Sequence, residues 1–133
     1  MESITSRAPE ILILIFLIIV FLQSSIDKIF DWNGNLSFLT EHFNDTPLES
    51  LVPILLATVM LAEMASGILC AAGLFQLVVF GESEVALYGG ILACVSLLML
   101  LFGQRLAKDY EGAKTIAVYF VPAVFLVYLL QLG

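Results

Sequence analysis

The residue best placed to do chemistry in this sequence is Glu63. It sits in Leu61-Ala62-Glu63-Met64-Ala65-Ser66-Gly67, within a long and otherwise apolar stretch. A carboxylate in hydrocarbon is costly unless it is paired, hydrated or protonated. Two readings are open. Glu63 handles a proton or touches a ligand, or it is a structural acid bonded to a neighbouring helix. Lys28 and Arg105 each carry a cationic side chain long enough to reach inward from a helix end. Gln23, Ser24, Asp27, Lys28, Glu63, Arg105, Asp109 and Tyr110 are therefore expected near one membrane face, with Lys28, Glu63, Arg105, Asp109 and Tyr110 as the candidate polar cluster. For Asp27, Lys108 and Asp109, ordinary solvation at helix ends is the plainer expectation. No catalytic residue can be assigned.

Other reactive side chains are scarce. Cys70 and Cys94 fall at comparable depth in successive apolar stretches and could form a redox pair. Nothing around them in sequence would activate a thiol, so packing is the expected role. His42 is the only histidine; it is either a quinone or haem contact or a solvated surface residue, the second being the expectation. A single His excludes bis-His haem within this chain. One His and two Cys cannot supply a structural zinc site, and no metal site is expected.

The elements that must position these residues follow from hydropathy. A spanning helix needs about 20 apolar residues, and four stretches qualify: about Pro9–Phe30, about Pro47–Phe80, about Val85–Phe102 and about Thr115–Leu132. Arg7 and the apolar run 11–22 resemble a signal peptide, but Glu2 and Glu10 and the lack of a small-x-small site favour a span. Residues 31–46 mix Trp32, Leu36, Phe38, Leu39 and Phe43 with Asn33, Asn35, Glu41, His42 and Asn44, the pattern of a short amphipathic helix at the interface. Thr46-Pro47-Leu48-Glu49 fits a capping box that opens the second span. Gly81-Glu82-Ser83-Glu84 reads as a turn, 103–114 as the most polar connection, and Pro122 as a bend. The fold class is thus all-α: a single four-transmembrane-helix bundle over 1–133.

Composition agrees. Of the 133 residues 61% are hydrophobic and 13% charged, and mean hydropathy is +1.05. A soluble domain of this size could not bury so much apolar surface. A net charge of −7 excludes nucleic acid as a partner. Small residues recur on one face of span two (Ala62, Ser66, Cys70, Gly73) and of span three (Ala86, Gly90, Ala93, Cys94), as close helix packing in lipid requires. By the positive-inside rule Lys28, Arg105, Lys108 and Lys114 would face the cytoplasm and both termini the outside. The termini end is expected to be nearly featureless.

Three segments together carry a family resemblance. Phe21-Leu22-Gln23-Ser24-Ser25-Ile26-Asp27-Lys28-Ile29, Leu61-Ala62-Glu63-Met64-Ala65-Ser66-Gly67 followed by Gly73, and Phe102-Gly103-Gln104-Arg105-Leu106-Ala107-Lys108-Asp109-Tyr110-Glu111-Gly112-Ala113 resemble, in order, the marks of the DoxX-like family of small four-helix membrane proteins. Lys28 matches the family lysine, while Ser25 stands where glycine is usual. The resemblance implies a membrane subunit of a larger, redox-linked complex, acting mainly in anchoring or assembly. It implies location in a bacterial inner membrane, with lipids and other membrane subunits or further copies of the chain as partners. No cofactor is expected within the chain, although a quinone or lipid would suit the Glu63, Lys28 and Arg105 region. The alternatives are a quinone-linked oxidoreductase component and a small transporter or lipid-binding protein.

Overall fold

A computed structural model of the chain describes residues 6–44, 46–47, 49–106 and 109–132. Leu48, in the expected capping box, and Ala107 and Lys108, in the third motif, lie outside them. The described chain is helical: α1 is Ala8–Phe30, α2 Trp32–His42, α3 Val52–Phe80, α4 Glu84–Leu106 and α5 Tyr110–Leu132. A single 3-10 turn, Glu49–Leu51, leads into α3. Four helical segments, α1, α3 with its leading turn, α4 and α5, are long and apolar enough to cross a membrane, and α2 is the short helix expected between the first two.

Local chemistry sets the ends. Pro9 lies in the first turn of α1 and Pro53 in that of α3, where a missing N–H costs nothing. The second span was expected to open at Pro47, but its α-helix begins at Val52. The Thr46 hydroxyl donates to the Phe43 carbonyl at 2.7 Å, closing the preceding turn. At the far end of α3, Gly81 adopts φ 73°, a left-handed cap that glycine takes without strain, and its N–H reaches Leu77 O at 3.1 Å. Gln76 then clasps the turn: its Nε2 donates to Glu82 and its Oε1 accepts from the Val85 N–H, each at 3.1 Å. Of the polar connection expected over 103–114, the described residues other than Asp109 are helical, because Asp109 caps α5 and the helix begins at Tyr110, five residues before Thr115. Asp109 Oδ1 accepts from the Gly112 N–H at 3.0 Å, an N-cap bond. α5 then runs unbroken through Pro122.

α3 is the central helix. It packs on α1 and α4, while α5 lies against α4 and more thinly against α1. The α3–α4 seam is the tightest. A methyl on Gly73 would overlap the backbone of Ala86, and one on Gly89 would lie 2.9 Å from the Cys70 nitrogen. Two buried hydroxyls close the same seam, Ser66 and Ser96, 3.3 Å apart, each also bonded to its own helix at Ala62 O and Leu92 O. Ser66, Cys70 and Gly73 are buried as the small-residue stripe requires, and Ala86, Gly90 and Ala93 likewise. Ala62 and Cys94 are half-buried at the edges. The core is completed by Leu14, Leu17 and Phe21 of α1 and by Leu126 and Leu130 of α5.

Because backbone opposes backbone at Gly73, Gly73→Leu should lower stability by about 3 kcal/mol in detergent unfolding titrations. Gly90 faces only the movable side chains of Leu126 and Val127. Gly90→Ala should therefore stay within about 1 kcal/mol of the parent. Equal effects of the two changes would contradict the seam.

Candidate functional site

Glu63 lies about 17 Å along α3 from Val52, and its side chain is 4% exposed. Its partner is Lys28. The ammonium Nζ is 2.9 Å from Glu63 Oε1, at an angle that makes the contact an ion pair rather than a directed hydrogen bond. Lys28 is near the end of α1, and helical side chains lean toward the N-terminus of their own helix. That lean turns the lysine back into the bundle instead of out toward water. Nζ also donates to Ser24 Oγ at 2.6 Å, one turn earlier, and approaches Ser24 O at 3.5 Å. The lysine is thus held on both sides, with 15% of its side chain exposed.

The pair lines a cavity of about 430 Å³ between α1, α3, α4 and α5. Gln23, Ser24 and Asp27 of α1 and Tyr119 of α5 supply the other polar groups of its wall, and Leu97 and Leu100 its apolar side. It sits where α1 and α5 pack thinly. Ser25, at the position where the resembled motif has glycine, is fully buried and bonds Leu22 O at 3.1 Å, so a small side chain still occupies a helix contact.

The rest of the expected cluster separates into two groups. Arg105 is exposed and lies over the Tyr110 ring, 5.1 Å from guanidinium carbon to ring centroid. It is not the partner of Glu63, because it ends α4 facing outward. Asp109 is more than a solvated helix end. Besides capping α5, its Oδ2 lies 3.4 Å from His42 Nε2. His42 is likewise drawn in rather than solvated: it stacks on Phe38 at 5.4 Å and meets Phe43 edge-on. These contacts fasten α2, which has no buried residue, to the start of α5. Asp109 and His42 border a second cavity of about 390 Å³ beneath α2, which Lys28 and Leu100 also line. Lys28 therefore stands between the two cavities.

Cys70 and Cys94 are free thiols, Cys70 fully buried in the core. The termini end carries more than expected: Arg7 pairs with the buried Glu10 at 3.4 Å. The i, i+3 spacing of those two residues is the signal that could have disclosed it. Ser96 was also missed; Val95 and Leu97 flank it, and only its spacing from Ala93 marks the face. Among the described residues no group of His, Cys, Asp and Glu is arranged to hold a metal. No protein-family model, curated protein or solved structure matches the chain.

Removing one member of a buried ion pair strands the other, at a cost of about 3–5 kcal/mol, whereas replacing both with apolar residues is often neutral. Lys28→Met should destabilise by that amount in unfolding titrations, and Lys28→Met with Glu63→Leu should recover most of it. A single variant as stable as the parent would show that the two charges are not paired.

Proposed function

We propose that this chain is an integral membrane subunit of a larger membrane assembly, of the DoxX-like kind its motifs resemble, and that it anchors or organises partners in a bacterial inner membrane. The observation that carries this reading is the distribution of the chain. Four membrane-length apolar helices and one short helix account for nearly all described residues, leaving only short connections outside them. The connections between the described helices are too short to fold an extramembrane catalytic domain. The faces are available for a partner: Val118, Val121, Phe125 and Tyr128 are exposed along a single stripe of α5, where lipids, other membrane subunits or a further copy of the chain can pack. The ion pair of Lys28 and Glu63 joins two helices of this scaffold internally, in keeping with an architectural role.

A second reading is favoured by the polar-walled cavity. Gln23, Ser24, Asp27, Lys28, Glu63 and Tyr119 converge on a space of about 430 Å³, within the range of small-molecule sites. A quinone-linked oxidoreductase component would use such a place for a ligand with a polar ring and an apolar tail.

One experiment separates the readings. The chain is affinity-isolated from native membranes in mild detergent, as parent and as Glu63→Gln, and the eluates are assayed for companion polypeptides and for quinone reduction. Larger companions with both proteins, and unchanged turnover, support the subunit. Companions retained but reduction lost in Glu63→Gln support the quinone site. A lone monomer or a homo-oligomer in native membranes contradicts the subunit reading.

A further inference from the structure

The cavity beneath α2 is distinct from the polar-walled one and has a different chemistry. Phe38 and Leu39 of α2, Leu55 and Val59 of α3 and Met99 and Phe102 of α4 give it a mainly apolar wall of about 390 Å³. Its ionisable groups already contact one another or other protein groups. Lys28 Nζ is committed to Glu63 and Ser24. His42 and Asp109 face each other, and Asp109 also holds the Gly112 N–H. A charged headgroup entering here would find each ionisable side chain already contacting a protein group and would lose its hydration with little compensation. What remains uncharged and polar are two amides, Asn35 and Gln104. The Nδ2 of Asn35 donates to Asp31 O at 2.8 Å, and Gln104 Oε1 has no hydrogen-bond partner among the described residues.

The cover of the cavity is slight. α2 contributes no buried residue and is held at its end by the His42 contact with Asp109 and by the Phe43 ring lying over Gly103. In a bilayer the molecules at hand are amphiphiles. A volume at the small end of ligand cavities suits one apolar chain rather than two.

From this geometry we propose that the cavity beneath α2 binds a single-chain lipid with an uncharged, hydroxyl-bearing head, such as a monoacylglycerol. The chain lies along Val59, Met99 and Phe102, and the head meets the amide-lined part of the wall.

The only tryptophan, Trp32, begins α2 one turn before Asn35 and serves as the reporter. The full chain in detergent is titrated with a monoacylglycerol brominated in its chain, and Trp32 quenching is followed. The competitors are the unbrominated monoacylglycerol, its O-methylated analogue, and the fatty acid anion of equal chain length. The proposal expects saturable quenching, and competition by the fatty acid at least tenfold weaker than by the monoacylglycerol. Loss of the hydroxyl donors should weaken competition by about threefold to tenfold. Val59→Trp, filling the cavity, carries a second tryptophan, so its binding is read by native mass spectrometry beside the parent; loss of the bound lipid is expected. Equal competition by the charged and uncharged chains would overturn the proposal, as would unchanged lipid retention in a folded Val59→Trp. Should that variant not fold, the competitor series on the parent protein decides alone.

Discussion

Glu63 is a carboxylate about a dozen residues inside the longest apolar helix, and the arrangement of the bundle follows from how that charge is met. The ammonium of Lys28, 2.9 Å away, neutralises it. For this to happen α1 must end beside the middle of α3, so the pair sets where the two helices sit along each other. Lipid tails provide no hydrophobic drive between helices, and polar contacts have correspondingly more say in register. Ion pairs of this kind stabilise little compared with well-packed apolar residues. Their contribution here is positional: a shift of one turn would leave two buried charges apart. Ser24 narrows the choice further by holding the ammonium from its own helix.

The α3–α4 seam solves a different problem. Once α3 is fixed against α1, its opposite face must meet α4 closely enough for dispersion forces to hold them. Gly73 against Ala86 and Gly89 against Cys70 remove the side chains that would keep the backbones apart. Ser66 and Ser96 each have a carbonyl of their own helix and the other hydroxyl within reach of their one proton, so neither hydroxyl is left bare. α5 then closes against α4 with larger side chains and leaves the thin junction with α1 where the polar-walled cavity forms. The ion pair and both cavities thus occupy one end of the bundle.

Much of this was legible in the sequence. Hydropathy located all four long helices, and the mixed segment 31–46 located α2. The small residues from Ala62 to Gly73 marked the face of α3 that α4 covers. Glu63 stood out because a carboxylate in hydrocarbon demands a partner, and Lys28 was one of two candidates. Direction chose between them: Lys28 ends its helix with the side chain leaning inward, whereas Arg105 leaves α4 toward Tyr110. Residue type alone does not carry that information. The pairing of His42 with Asp109 was equally hidden, since it joins residues far apart in sequence through a cap whose geometry appears only when α5 is in place. The early start of α5 went unread for the same reason, because the polar residues of 103–114 look like a loop until Asp109 is seen to cap.

The register of the bundle depends on Lys28 and Glu63 being in contact within the bilayer. Solid-state NMR of the isotope-labelled chain in lipid bilayers measures this directly, through dipolar coupling between the Lys28 Nζ nitrogen and the Glu63 carboxyl carbon. A strong coupling, as a 2.9 Å separation of Nζ and Oε1 imposes, is the predicted result. A Lys28 ammonium coupled only to water or lipid headgroups, with no coupling to Glu63, would contradict it.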